Sequence, residues 1–281
     1  MAEITAAQVK ALRDRTGLPM MDCKSALAEA EGNADKAVDI LRKRGAAAAD
    51  KRADRETGEG RIVCCIDAAK QMGAILEFRC ETAPVANNPE FKEMAEAFVK
   101  AAVAVPAGEA VTPERVLDLP LPSDPSRKCR DLLTDVVNKI RENMQVVRVE
   151  RLQGTLGSYV HFNGKLGVLL QVEGAADAEL LSDLCMHITA MKPTALSRDA
   201  VDPALIEKER EIARELALKS GKPAQIVDKI VEGKISRWYS ENVLLDQEFA
   251  NVDKFKGTVA KLLASRGNVK LVAYQRFEVG G

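Results

Sequence analysis

The sequence predicts an α+β protein: a small N-terminal three-helix module, a core of two related subdomains with small antiparallel sheets and helices, and a projecting helical hairpin. Three observations carry this expectation. Helical spacing of apolar residues through the first 44 positions gives way to strand-type patterning from residue 61. An order of hairpin, helices and returning strand then occurs once in each half of the remaining chain. Finally, two helical arms joined by Ser220-Gly221-Lys222-Pro223 interrupt the second occurrence.

Residues 1–44 divide into three short helices. Ile4-Thr5-Ala6-Ala7-Gln8-Val9 combines a capping box with a hydrophobic staple: Thr5 caps, Gln8 reaches back and Ile4 packs on Val9. The first helix ends near Thr16-Gly17, Pro19 opens a second running from Met20 to Ala30, and Asn33 caps a third carrying Ala37, Val38, Ile40 and Leu41. So small a unit buries little surface alone, which suits a docking module. The Arg42-Lys43-Arg44 cluster reads as the end of the third helix, complementing its dipole. Residues 45–60 read as a linker, partly helical over Ala46–Asp50.

The first core subdomain is expected over residues 61–152. Arg61–Asp67 and Ala74–Cys80 form a hairpin, helices follow at about 89–104 and 127–143, and Gln145–Leu152 returns as a strand. Val105–Pro125, with five prolines, reads as a loop. The second subdomain covers 153–281. Its strands Ser158–Phe162 and Lys165–Val172 flank Asn163-Gly164, a strong hairpin signal. A helix at about 176–191 and a closing strand at Val269–Glu278 complete it. The inserted hairpin spans 202–240, with Leu205, Ile212 and Leu216 at coiled-coil-like spacing on one arm and Ile226, Ile230, Val231, Ile235 and Trp238 on the other.

Composition narrows the function. Forty-one basic against 42 acidic residues give a net charge of −1, which argues against a nucleic-acid coat and against an acidic tail. Two histidines leave no histidine-rich metal cage and little histidine catalysis. Six cysteines lie at 23, 64, 65, 80, 129 and 185 without any C-x-x-C pair, so they read as small buried hydrophobes in a reducing compartment. The start, Met1-Ala2-Glu3-Ile4, lacks a signal-peptide pattern, and no apolar run approaches the roughly 20 residues of a membrane span. A cytoplasmic protein without membrane contact is expected.

Catalytic motifs fail in turn. Gly157 to Gly164-Lys165 has the wrong spacing for a phosphate loop and continues into Leu166. Gly154-Thr155-Leu156-Gly157 precedes a strand where a dinucleotide fingerprint must precede a helix, so it reads as a hairpin turn. No nucleophile elbow or H-E-x-x-H occurs. His187, inside a helix, has no sequence neighbour that would make it a general base. No cofactor, metal or catalytic residue is expected, and the chain is not read as an enzyme. Two features suit either a binding surface or a plainer role, core filling for the first and a simple connection for the second. Met20-Met21 places adaptable apolar side chains at a loop-to-helix junction, and the stiff segment Glu81–Pro89 is exposed between a strand and a helix.

Several segments together resemble the elongation factor Ts family. They are Arg15-Thr16-Gly17-Leu18-Pro19-Met20-Met21-Asp22-Cys23-Lys24-Ser25-Ala26-Leu27, Gly157-Ser158-Tyr159-Val160-His161, Met186-His187-Ile188-Thr189-Ala190-Met191-Lys192-Pro193, Ser220-Gly221-Lys222-Pro223 and Arg276-Phe277-Glu278-Val279. The resemblance spans the chain in order. It implies a ubiquitin-associated-like N-terminal module, a two-subdomain core and a coiled-coil hairpin. In function it implies a guanine-nucleotide exchange factor for the GTPase elongation factor Tu in translation elongation, acting without direct nucleic-acid contact. It places partner docking at Arg13, Met20, Met21 and His187. An inserting loop that disturbs the partner's magnesium falls at Thr82, Ala83, Pro84 and Val85. The family usually has Thr-Asp-Phe-Val there, so this chain lacks both the carboxylate and the aromatic wedge. That departure keeps a second reading open: a binding or chaperone-like protein for elongation factor Tu with weakened exchange.

Overall fold

The computed structural model describes residues 4–220, 223–267 and 269–281; the readings on Met1–Glu3 and on Gly221-Lys222 lie outside these. The N-terminal module comprises α1 (Ala6–Thr16), α2 (Met20–Glu29) and α3 (Ala34–Asp50). Its start forms as the capping pattern requires. The Gln8 N–H donates to Thr5 Oγ1 at 3.3 Å and the Thr5 N–H to Gln8 Oε1 at 2.9 Å. Gly17 closes α1 in the left-handed region, and Asn33 accepts from the amides of Asp35 and Lys36 to open α3. Val9, Leu12, Cys23, Ala26, Leu27, Ala37 and Leu41 fill a small core, with Ile4 packed against it.

α3 corrects two expectations. It runs straight through Arg42-Lys43-Arg44 to Asp50, so the basic cluster lies mid-helix, where Arg44 reaches Glu29 and Ser25 on α2. Gly45 is not a linker start. A Cβ there would sit 1.5 Å from Asn138 Nδ2, so the missing side chain lets α3 lie against the core.

The first sheet has β1 (Glu59–Asp67), β2 (Met72–Cys80) and β5 (Met144–Gln153) in the antiparallel order β1-β2-β5. Between β2 and β5 come α4 (Ala83–Ala86), α5 (Pro89–Ala104), α6 (Pro113–Asp118), the short strands β3 (Pro120–Leu121) and β4 (Asp124–Lys128), and α7 (Cys129–Ile140). The proline-rich segment is therefore not a plain loop. Thr112 caps α6 and Pro113 occupies its first turn, where a missing N–H costs nothing. Pro120 sits on a two-stranded edge. Val116 and Leu121 anchor the segment in the core. α7 is shorter than expected at both ends: Arg127 belongs to β4, and Arg141 turns left-handed at φ 66°. Phe78, stacked on Phe91 at 4.6 Å, centres the core of this half.

The second sheet repeats the plan with β6 (Thr155–Val160), β7 (Leu166–Glu173) and β8 (Lys270–Glu278) in the antiparallel order β6-β7-β8. α8 (Ala178–Met191) and α11 (Val259–Ser265) cover it. Two short-range readings change here. Gly154, at φ 124°, links β5 to β6 across different sheets, and Gly157 lies within β6, where a Cβ would come 2.8 Å from Leu181 Cβ. The β6–β7 connection is also longer than two residues: β6 ends at Val160 and β7 opens at Leu166, with the His161 N–H donating to the Leu166 carbonyl at 2.9 Å.

α9 (Pro203–Lys219) and α10 (Ala224–Asn242) form the projecting hairpin. Its seam is Ile206, Ala213 and Ala217 against Val227, Val231 and Ile235. Leu205, Ile212 and Leu216, expected in that seam, are exposed together with Ile226. Small alanines let the helices approach, so the larger residues are left outside.

The two sheets meet through Ile62, Ile75, Leu169 and Phe277. Beside them Glu77 is fully buried. It accepts from Arg79 Nε at 2.6 Å, from Arg148 Nε on β5 and from the Gly280 N–H at 3.2 Å just after β8. One carboxylate thus ties both sheets together. Glu77→Ala removes the acceptor shared by two partly exposed guanidinium groups and is expected to cost about 1–3 kcal/mol, read by urea unfolding.

Candidate functional site

The segment singled out at residues 82–85 is a helical turn, not an irregular loop. Thr82 precedes α4, its N–H donating to Glu142 Oε2 at 3.0 Å and its hydroxyl to Glu142 Oε1 at 2.6 Å. At the far end Ala86 is buried, and the Asn87 side chain donates to the Ala83 carbonyl at 3.0 Å. Ala83 and Pro84 face solvent, while Val85 leans against the core. Chemically the tip offers methyl and methylene groups only. Its rigidity comes from a bidentate grip on one carboxylate and from proline's fixed φ.

Met20 and Met21 are 48% and 73% exposed at the start of α2. The next residue, Asp22, receives Arg141 Nη2 at 2.9 Å. Arg141 immediately precedes the Glu142 that grips Thr82. Asn143 completes the junction: its N–H donates to Glu81 Oε1 at 2.6 Å, and its side chain donates to the carbonyls of Ala53 and Arg55 in the strap after α3. Three consecutive residues therefore fix the methionine pair, the exposed turn and the inter-module strap against one another. No sequence motif marks this junction. Its one signal is the run of polar residues between a helix and a strand, which continues the helical pattern expected to residue 143.

Arg13 is exposed on α1 and makes no ion pair among the described residues. His187 is placed differently from the docking surface expected for it. It is only 2% exposed and stacks on Phe249 at 5.6 Å. The Ala250 N–H donates to its Nδ1 at 3.1 Å, so the proton sits on Nε2 and is donated to Gln247 Oε1 at 3.0 Å. Gln247 in turn donates to the carbonyls of Met191 and Glu241. The imidazole thus clamps α8, the base of the hairpin and the 250 loop, and Met186 and Val252 are exposed beside it. They border an open groove of about 350 Å³.

The remaining reactive groups are quiet. Burial raises the thiol pKa of Cys64 and Cys65, and pushes those of Cys80 and Cys185 up to about 12 and of Cys129 to about 11. Such thiols are protonated at neutral pH and poor nucleophiles. Among the described residues no group of His, Cys, Asp or Glu is arranged to hold a metal ion, and no helix is long and apolar enough to cross a membrane.

Burial lowers the His187 pKa below its ordinary value, against the opposing effect of the Gln247 hydrogen bond. The unfolded chain therefore binds the proton more tightly than the folded one. His187's share of stability is full above the unfolded pKa of about 6.5 and is lost as pH falls from there towards the lower folded value. His187→Leu is expected to remove that acid slope and to cost about 1–3 kcal/mol at neutral pH, because Gln247 and the Ala250 N–H lose their partner. Melting curves of both proteins across that pH range check the difference.

Residues 81–281 match the family model described as elongation factor TS. Elongation factor Ts of Nautilia profundicola is 43% identical across all of this chain and 94% of the relative. Those of Clostridium kluyveri and Clostridium botulinum are each 37% identical over 99% of this chain, covering 93% and 92% of their own length. The chain belongs to the elongation factor Ts family.

Proposed function

We propose that this translation elongation factor is a guanine-nucleotide exchange factor for elongation factor Tu. The observation that carries the reading is the rigid pairing of two exposed apolar features, Met20-Met21 and the Thr82–Val85 turn, through Arg141 and Glu142. An adaptable methionine surface suits docking on the GTPase, and the turn, held at a fixed distance from it, suits insertion beside the nucleotide. No acid, base or nucleophile is needed. A GTPase holds its nucleotide through backbone amides and Mg²⁺. A protein that binds the nucleotide-free state more tightly weakens nucleotide binding by the same factor.

How the turn acts follows from its composition. Ala83 and Pro84 can neither repel nor bind a cation, so their effect is steric. The buried His187 clamp contributes by setting the groove around Met186 and Val252. This same lack of a carboxylate and an aromatic ring at the tip favours one alternative, a binding or chaperone-like role with weakened exchange.

Release of fluorescent GDP from elongation factor Tu separates the two. The exchange reading expects faster release on adding this protein, whereas the alternative expects a stable complex without acceleration. Replacing residues 82–85 with glycines is expected to slow stimulated release by about tenfold while leaving docking through Met20 and Met21, a change of about 1.4 kcal/mol in transition-state binding. An undiminished rate removes the turn from the mechanism.

A further inference from the structure

We propose that Phe162 is a second probe on the same surface, an aromatic contact that enters an apolar cleft of elongation factor Tu next to the position taken by the Ala83–Pro84 turn; this rests on the exchange-factor reading. Phe162 is 88% exposed. Among the described residues every other aromatic ring is buried or half-buried. Its position has no structural need for an aromatic side chain. It lies in the turn His161–Gly164, closed by the Gly164 N–H donating to the His161 carbonyl at 2.7 Å, where small polar residues serve well. A large apolar ring left in water at a turn tip is what a buried anchor looks like before its partner arrives.

The ring is also held in place. It rests on the His161 imidazole with centroids 4.5 Å apart, and His161 Nδ1 is hydrogen-bonded to the Tyr159 hydroxyl at 3.0 Å. The outward direction is therefore set before binding, which lowers the ordering cost of a contact.

Arg61 joins this tip to the other one. Its Nη1 donates to Asn87 Oδ1 at 3.2 Å, and Asn87 is the residue bonded back to Ala83 in the exposed turn. Its guanidinium also lies under Gly164, where a Cβ would come within 2.4 Å of Cζ. The Ile62 N–H donates to the Gly164 carbonyl at 2.7 Å and fixes the turn from below. Two protruding tips, one from each half of the core, are thus carried by one side chain. A partner that receives one meets the other. The 82–85 turn presents only small groups, so the chemistry left for Phe162 is the larger apolar one: an apolar surface of the partner that accepts a phenyl ring.

The test uses the full chain with its single tryptophan replaced, Trp238→Phe, and a reporter installed as Phe162→Trp. Titration with nucleotide-free elongation factor Tu is expected to shift the emission to shorter wavelength as the indole leaves water. In the natural background Phe162→Ala is expected to weaken the complex by about tenfold to a hundredfold, with an unchanged melting temperature. An unshifted emission while the complex forms overturns the proposal. So does a shift produced by raising the concentration of this chain alone, which assigns the ring to self-association. If the emission shifts on complex formation but GDP release is not accelerated, the contact stands and the exchange reading fails.

Discussion

The stretch Arg141-Glu142-Asn143 carries more of the architecture than its length suggests. A non-glycine residue in the left-handed region ends α7 at Arg141, which throws the next two side chains out of helical register. Each then finds a different part of the chain: Asp22 for Arg141, the Thr82 amide and hydroxyl for Glu142, and Glu81 with the strap carbonyls for Asn143. Surface pairs of this kind add little stability individually. Their consequence is geometric. Without them the three-helix module is attached chiefly by the packing of α3 on α7, and its methionines have no fixed relation to the turn.

Fixed geometry is what an exchange factor without catalytic groups can use. A ten-thousand-fold shift between nucleotide-bound and nucleotide-free states needs about 5.5 kcal/mol of differential binding. No single exposed side chain here supplies that. Several contacts can, provided that they are held together, because ordering each surface separately costs binding energy. The junction at 141–143, the Arg61 bridge and the buried Glu77 all serve to keep surfaces from different parts of the chain in one arrangement.

Much of the fold was legible because its signals are local. Thr5 with Gln8, and Asn33, act through their own helix termini, and the switch from period 3.6 to period 2 marks the first sheet. The failures share a cause as well. Gly45 looked like a break and is a close contact with Asn138, a partner more than ninety positions away. Leu205, Ile212 and Leu216 looked like a seam, yet alanines take that place because helix separation is set by both arms together. For His187 the helix alone left packing and contact open, because its partners, Gln247, Phe249 and Ala250, lie some sixty residues downstream. For Met20 and Met21 the sequence left core filling and surface equally open, and the structure exposes both. Glu142's hold on Thr82 had no counterpart in the sequence.

The exposed turn brings these points together. Without charge or aromatic surface at positions 83 and 84, it cannot act through attraction to a metal ion or through a bulky wedge of its own. What remains is shape held against deformation: proline at the tip, a carboxylate gripping the entry, Ala86 buried at the exit. A stiff, small projection resists being pushed aside when it meets a partner's loop, so the loop must move instead. Such a projection is selective only if its neighbours determine where it lands. That requirement accounts for the investment in residues 141–143 and in Arg61, which make no contribution at the tip itself. On the proposed reading, the polar network behind the surface acts through position, while the side chains at the front are nearly featureless.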